Sequence, residues 1–128
     1  MNWIIRNTEK LKFHTNLAVL LKPIEDDIHH LKWLVTDLEI NTSELQSLPI
    51  NHDKDWFLIS AEEMNRLRNS DSQIVWGVYS GLEKNIDINP DEMDLPLAEE
   101  SEVIWKAGNL QTAFTKIEII AYDSSYTI

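Results

Sequence analysis

Apolar and polar positions change period along this chain, and the changes mark out its elements. Ser60-Ala61-Glu62-Glu63 is the clearest local signal. The Ser60 side chain can accept from the Glu63 backbone N–H, Glu63 can reach back to the Ser60 N–H, and Ile59 and Met64 flank the pair as a hydrophobic staple. The pattern predicts a helix from about residue 61 to 69 with Met64 and Leu67 inward. Just upstream, Trp56-Phe57-Leu58-Ile59 is a short strand. Residues 73–80 form the strongest strand. Ile74, Trp76 and Val78 fall on one face, Val75, Gly77 and Tyr79 on the other, and neither face is charged, so the strand reads as central. Gly77 leaves room for a neighbour to approach closely.

Residues 32–40 also read as a strand, with Trp33 and Val35 on one side and Leu34, Thr36 and Leu38 on the other. Residues 117–122 alternate Ile117, Ile119 and Ala121 against Glu118, Ile120 and Tyr122. A turn at Asp123-Ser124-Ser125 leads to a last extended piece at 126–128. The continuous apolar run at 17–21 is short and ends before Pro23, so it reads as a strand covered on both faces. Residues 23–30 predict a short helix, with Pro23 at its start, Glu25, Asp26 and Asp27 in its first turn, and Ile24, Ile28 and Leu31 in a stripe. Residues 41–55 read as loop with a possible helical turn at 43–47. Val103-Ile104-Trp105 reads as a return to β structure, and Ala107-Gly108-Asn109 as a turn. The sum is one α+β domain over residues 1–128. A single-layer antiparallel or mixed sheet of about five to six strands carries two to three short helices on one face.

Composition narrows the function classes. The 128 residues are 43% hydrophobic and include five tryptophans, enough for a core without a disulfide or metal staple. No cysteine is present, which excludes a disulfide framework, a thiol nucleophile and a cysteine zinc site, and fits a cytoplasmic setting. No N-terminal signal order is visible, and no apolar run approaches the ~20 residues that span a bilayer.

Charge is uneven. The net charge is −11, yet residues 1–12 set Arg6, Lys10 and Lys12 against Glu9 alone. Between 83 and 102 the acids are Glu83, Asp87, Asp91, Glu92, Asp94, Glu99, Glu100 and Glu102, with Lys84 the one base. Such a strip attracts a basic protein surface and repels a phosphate backbone, so nucleic acid and membrane are not expected as partners. Its plain alternative is a solvated loop that keeps the protein in solution. A calcium loop does not fit, because the 89–94 stretch lacks the glycine that the sharp turn of such loops requires.

Other constellations read as ordinary structure. His29 and His30 are adjacent, a spacing that points their rings about 100° apart on a helix. His14 or His52 would have to complete any metal site. Asp123-Ser124-Ser125 lacks the elbow of a serine nucleophile and reads as turn chemistry. Asp37 with Glu39, and Glu62 with Glu63, are carboxylate pairs that could serve as acid and base only in a cleft. Of the tryptophans, most read as core, Trp33 and Trp76 above all, and Trp3 and Trp105 are less determined. No catalytic residue, metal ligand or cofactor is assigned.

In size, acidity, lack of cysteine and wealth of tryptophan the chain resembles immunity proteins that neutralise bacterial toxins. That likeness implies a non-enzymatic inhibitor of a basic toxin or enzyme and no particular residue. Two other readings stand beside it: a small-molecule-binding or hydrolytic domain with a pocket of tryptophans and carboxylates such as Asp37, Glu39 or Asp123, and a homo-oligomeric accessory protein that pairs strand edges.

Overall fold

The computed structural model describes residues 4, 15–43, 45–51, 53–70, 72–99, 102–106 and 110–128. Five antiparallel strands form one sheet in the order β2-β1-β3-β4-β5. They are β1 (Leu31–Thr42), β2 (Trp56–Ile59), β3 (Ser72–Glu83), β4 (Ile117–Tyr122) and β5 (Tyr126–Thr127). Three short helices, α1 (Leu17–Leu20), α2 (Glu25–Ile28) and α3 (Ala61–Asn69), precede or connect the strands. The fold is α+β, and β3, uncharged until its last residue Glu83, is its central strand.

The helices pack on one face, where Trp33, Val35, Ile59, Tyr79 and Ile119 of the sheet meet Leu17, Leu21, Ile28, Met64 and Leu67. Trp33 is fully buried, and Gly81 makes its placement possible. A Cβ at Gly81 would stand 2.8 Å from Leu31 Cδ1 and 2.9 Å from Trp33 Cη2, so the indole lies across bare backbone. α3 begins with both bonds of the expected capping box: Glu63 N–H donates to Ser60 Oγ and Ser60 N–H to Glu63 Oε1, each at 3.1 Å. Arg68, almost wholly buried at the end of α3, is paired with Glu25 Oε1 at 2.6 Å and ties α3 to α2.

Residues 17–21 are helical rather than extended. Leu17 and Leu21, four apart, both bury, and Val19 between them is exposed. That is helical spacing, and it lets the short run fill the first face without a strand partner. Val103–Trp105 is likewise a 3-10 turn and not β structure; only Ile104 is buried. The expected turn at 107–109 lies outside the described residues.

Two compensating irregularities in the β1–β3 pair shift the faces. The register runs Thr36↔Val78, then Glu39↔Trp76, then Ile40↔Ile74. β1 therefore holds an extra residue around Asp37, whose φ is +51°, and β3 holds one at Val75. Each extra residue reverses the alternation beyond it. Leu38 thus joins Val35 on the first face instead of Thr36, and Ile74 joins Tyr79 instead of Val78.

Candidate functional site

Among the described residues no α-helix packs on the second face of the sheet, but the face is not bare. Val78 and Ile120 of the sheet bury together with Ala98 and Ile104, while Trp76, Tyr122 and Ile128 pack around them. Leu34, Leu82 and Ser80 are wholly buried there as well. What covers them is the acidic stretch between β3 and β4. Its apolar residues Pro90, Pro96, Ala98 and Ile104 face the protein, and among the described acids Glu83, Asp87, Asp91, Glu92, Asp94, Glu99 and Glu102 are exposed. Glu100 lies outside the described residues. The strip is therefore amphipathic without being regular: 3-10 turns at Pro90–Glu92 and Val103–Trp105 are its only elements among the described residues.

Three neighbouring strands and the β3–β4 connection hold the strip in place. From β1, the buried Thr36 hydroxyl donates to the Pro96 carbonyl at 2.7 Å. The Asp37 carboxylate accepts from the Ala98 and Glu99 backbone N–H groups at 2.8 and 2.9 Å. This explains the bulge. An aspartate tolerates the left-handed backbone at this position, and the extra residue aims its carboxylate at two amides that would otherwise lack an acceptor. Lys32 Nζ donates to the Ile86 carbonyl. From β2, Trp56 Nε1 donates to Asp91 Oδ1 at 2.9 Å. From β4, Glu118 Oε2 accepts from the Gln111 N–H at 3.0 Å, and the Gln111 side chain makes a reciprocal pair with Leu97 N–H and C=O at 2.9 and 3.0 Å. The exposed pair Lys116–Glu83, at 3.3 Å, adds little, since both groups are about half solvated.

Within this network Glu118 carries a carboxyl shifted by its surroundings. Burial pushes its carboxyl above the ordinary carboxylate value, and the Gln111 N–H partly opposes the shift. The folded state thus holds this proton more tightly than the unfolded chain. The residue's contribution to stability is lost as pH rises through the shifted value. Glu118→Gln keeps an acceptor for Gln111 and removes the charge. Thermal melts from about pH 4 to pH 8 should show no advantage of the variant at the acid end and a gain in Tm toward neutrality. A variant less stable by the same amount at every pH would contradict the assignment.

The remaining candidates occupy separate places. Asp37 Oδ2 accepts from both backbone amides, and among the described residues no bond joins Asp37 to Glu39. Glu62 and Glu63 belong to the first turn of α3, with Glu63 in the capping box. Asp123 and Ser124 both have positive φ, near +50° and +55°, and shape the tight link between β4 and β5. The Ser124 hydroxyl accepts from Gln73 at 2.9 Å and contacts the Ile74 carbonyl, and neither is a base. His29 caps the C-terminal end of α2. His14, His52 and Trp3 lie outside the described residues, and among the described residues no three His, Asp or Glu side chains could hold a metal ion. Nor is any helix among them long and apolar enough to cross a membrane.

Trp76 is half-buried rather than fully enclosed, and it touches Tyr122 edge-on at 4.7 Å between ring centres. Trp105 is 43% exposed and leans edge-on against Tyr122 and Tyr126 at 5.0 and 5.5 Å. An aromatic group thus stands at the C-terminal end of the acidic strip, a feature that sequence reasoning left open. A hollow of about 400 Å³ opens beside the Asp37 bulge, lined by Val35, Leu38, Phe57 and Leu97 with Asp37, Lys54 and Asp55 at its polar side. Among the described residues no tryptophan lines it. Compared with protein-family models, curated proteins and solved structures, the chain has no match in any of the three.

Proposed function

We propose that this protein is a non-enzymatic binding domain that presents the strip from Glu83 to Glu102 to a basic protein surface, in the manner of an inhibitor of a basic toxin or enzyme. The observation that carries the reading is the division of labour within the strip. Its backbone is fastened by Thr36, Asp37 and Gln111, Trp56 holds one acid, Asp91, in place, and all its described acids are exposed. A solvated linker needs no such fastening. A docking face gains from it, because acids held in a fixed array lose less freedom when a partner arrives. Complementary charge then speeds encounter and rejects acidic competitors. The exposed Trp105, braced by two tyrosines, is the type of residue that anchors such interfaces.

Glu92, Asp94 and Glu102 are exposed, and among the described residues their side chains make no bonds that hold the strip, so all three can be changed to lysine without disturbing it. Proteins retained from a lysate at low salt by the wild type should be lost by the triple variant. For the isolated partner, calorimetry should show affinity falling roughly tenfold or more on reversal, and falling with added salt. Identical retention by both forms, or an affinity indifferent to salt, would overturn the proposal.

A further inference from the structure

The sheet has a second feature that bears on how a partner would bind. Among the described residues β2 is an edge strand, paired to β1 on one side only. An edge strand turns alternate N–H and C=O groups outward, which makes it a template for another extended chain. Natural proteins blunt such an edge by keeping it short or with a bulge, a proline or an inward charge; β2 is short, at four residues, but has no bulge, proline or charge. Instead a hollow of about 420 Å³ runs along the strand, lined by all four of its residues together with Leu48, Pro49, Ile50 and Glu63. The hollow beside Asp37 shares Ile50, Lys54 and Phe57 with it, so the edge is flanked by recesses at its side and at its start. Trp56 and Leu58 pair with Thr36 and Leu34 and belong to the second face, whereas Phe57 and Ile59 belong to the first. Leu58 is 42% exposed.

The charge of the rim selects the occupant. Glu63 lines one recess, Asp55 and Asp37 the other, and Asp91 is held against Trp56. Against them stands Lys54, drawn over the Trp56 ring at 4.7 Å. We infer that the outer edge of β2 takes up an extended, basic segment of the partner as a sixth strand. Its backbone pairs with residues 56–59, its side chains on the first face enter the recesses beside Asp55 and Glu63, and its cations on the opposite face meet Asp91. In strand addition the main chain supplies affinity and the recesses supply specificity. The inference rests on the acidic docking proposed above and assigns that docking a starting edge, because Asp91 belongs to both surfaces.

The test uses the isotope-labelled full chain and a synthetic octapeptide alternating lysine and valine. A second copy of the peptide, N-methylated at alternate peptide nitrogens, serves as control. NMR titration should shift the amides of residues 56–59 and the Trp56 indole N–H most strongly. The methylated peptide, which cannot pair along one edge, should bind roughly tenfold more weakly. Leu58→Lys, a surface change, should also weaken the unmethylated peptide severalfold. Shifts confined to residues 83–102 and equal for both peptides would overturn the strand addition while leaving the acidic docking standing. Absence of any shift at 56–59 would overturn it as well. Shifts at 56–59 that grow with protein concentration in the absence of peptide would show that a second copy takes the edge, and would overturn the basic partner as its occupant.

Discussion

Replacing Asp37 by alanine should loosen the acidic strip from the sheet and cost about 2–4 kcal/mol, because two backbone N–H groups lose a charged acceptor and one of them is partly buried. Denaturant unfolding measures the loss. Asparagine at the same place keeps an acceptor and tolerates the left-handed backbone, so Asp37→Asn should lose less than half as much. Glycine relieves the positive φ but supplies no acceptor, and should behave like alanine to within a few tenths of the total. If glycine were as stable as aspartate, the bulge would need only conformational freedom, and the carboxylate would have no part in fixing the strip.

Trp33→Ala should be the most damaging single change, at about 3–5 kcal/mol, a large share of the roughly 5–15 kcal/mol that holds a domain of this size. Trp33 is fully buried at the middle of the first-face core, and its ring fills the space over Gly81. Its indole N–H reaches the Ile28 carbonyl only at 3.4 Å, so the loss is one of packing and not of a strong hydrogen bond. Phe at this position restores part of the volume and should recover about half the loss. A cost under 1 kcal/mol for alanine would mean that the helices do not depend on this contact.

These two residues mark what can and cannot be read from the chain. Trp33 is legible, since it sits in an alternating strand. β2, α3 with its capping box, and β4 follow in the same way from local pattern, each signal being short-range and self-contained. Asp37 is not legible as a pivot. No glycine marks the bulge, and the bulge is needed only because residues 98 and 99, about sixty positions later, require an acceptor. Two-residue periodicity cannot register an inserted residue, which is why Leu38 and Ile74 were each expected on the opposite face.

The run at 17–21 shows a different limit. Five apolar residues satisfy a buried strand and a buried helix equally, and only the empty space on the first face decides between them. Helical spacing of Leu17 and Leu21 was present but is no stronger than the β reading in so short a stretch. Residues 103–105 are similar, with one buried anchor, Ile104, between two exposed neighbours.

The acids of the candidate site were visible as a count of charge. Their setting was not. The strip looked like a polar insertion between two strands, whereas it is the cover of the sheet's second face, and its small apolar residues carry that role. Proline and alanine among acids give no periodic signal, yet Pro90, Pro96 and Ala98 are buried. The fastening residues Thr36, Trp56 and Gln111 come from three separate parts of the chain and meet only through the tertiary fold.

Whether the strip is a fixed cover or a solvated loop is the claim on which the docking face depends, and native-state hydrogen exchange tests it without any partner. The Ala98 amide, donating to Asp37 over the buried second-face cluster, should exchange several orders of magnitude more slowly than an open chain, in step with the neighbouring amides of β1, and Glu99 should follow with smaller protection. Exchange of Ala98 at the rate of an unprotected peptide, while β1 stays closed, would contradict the account.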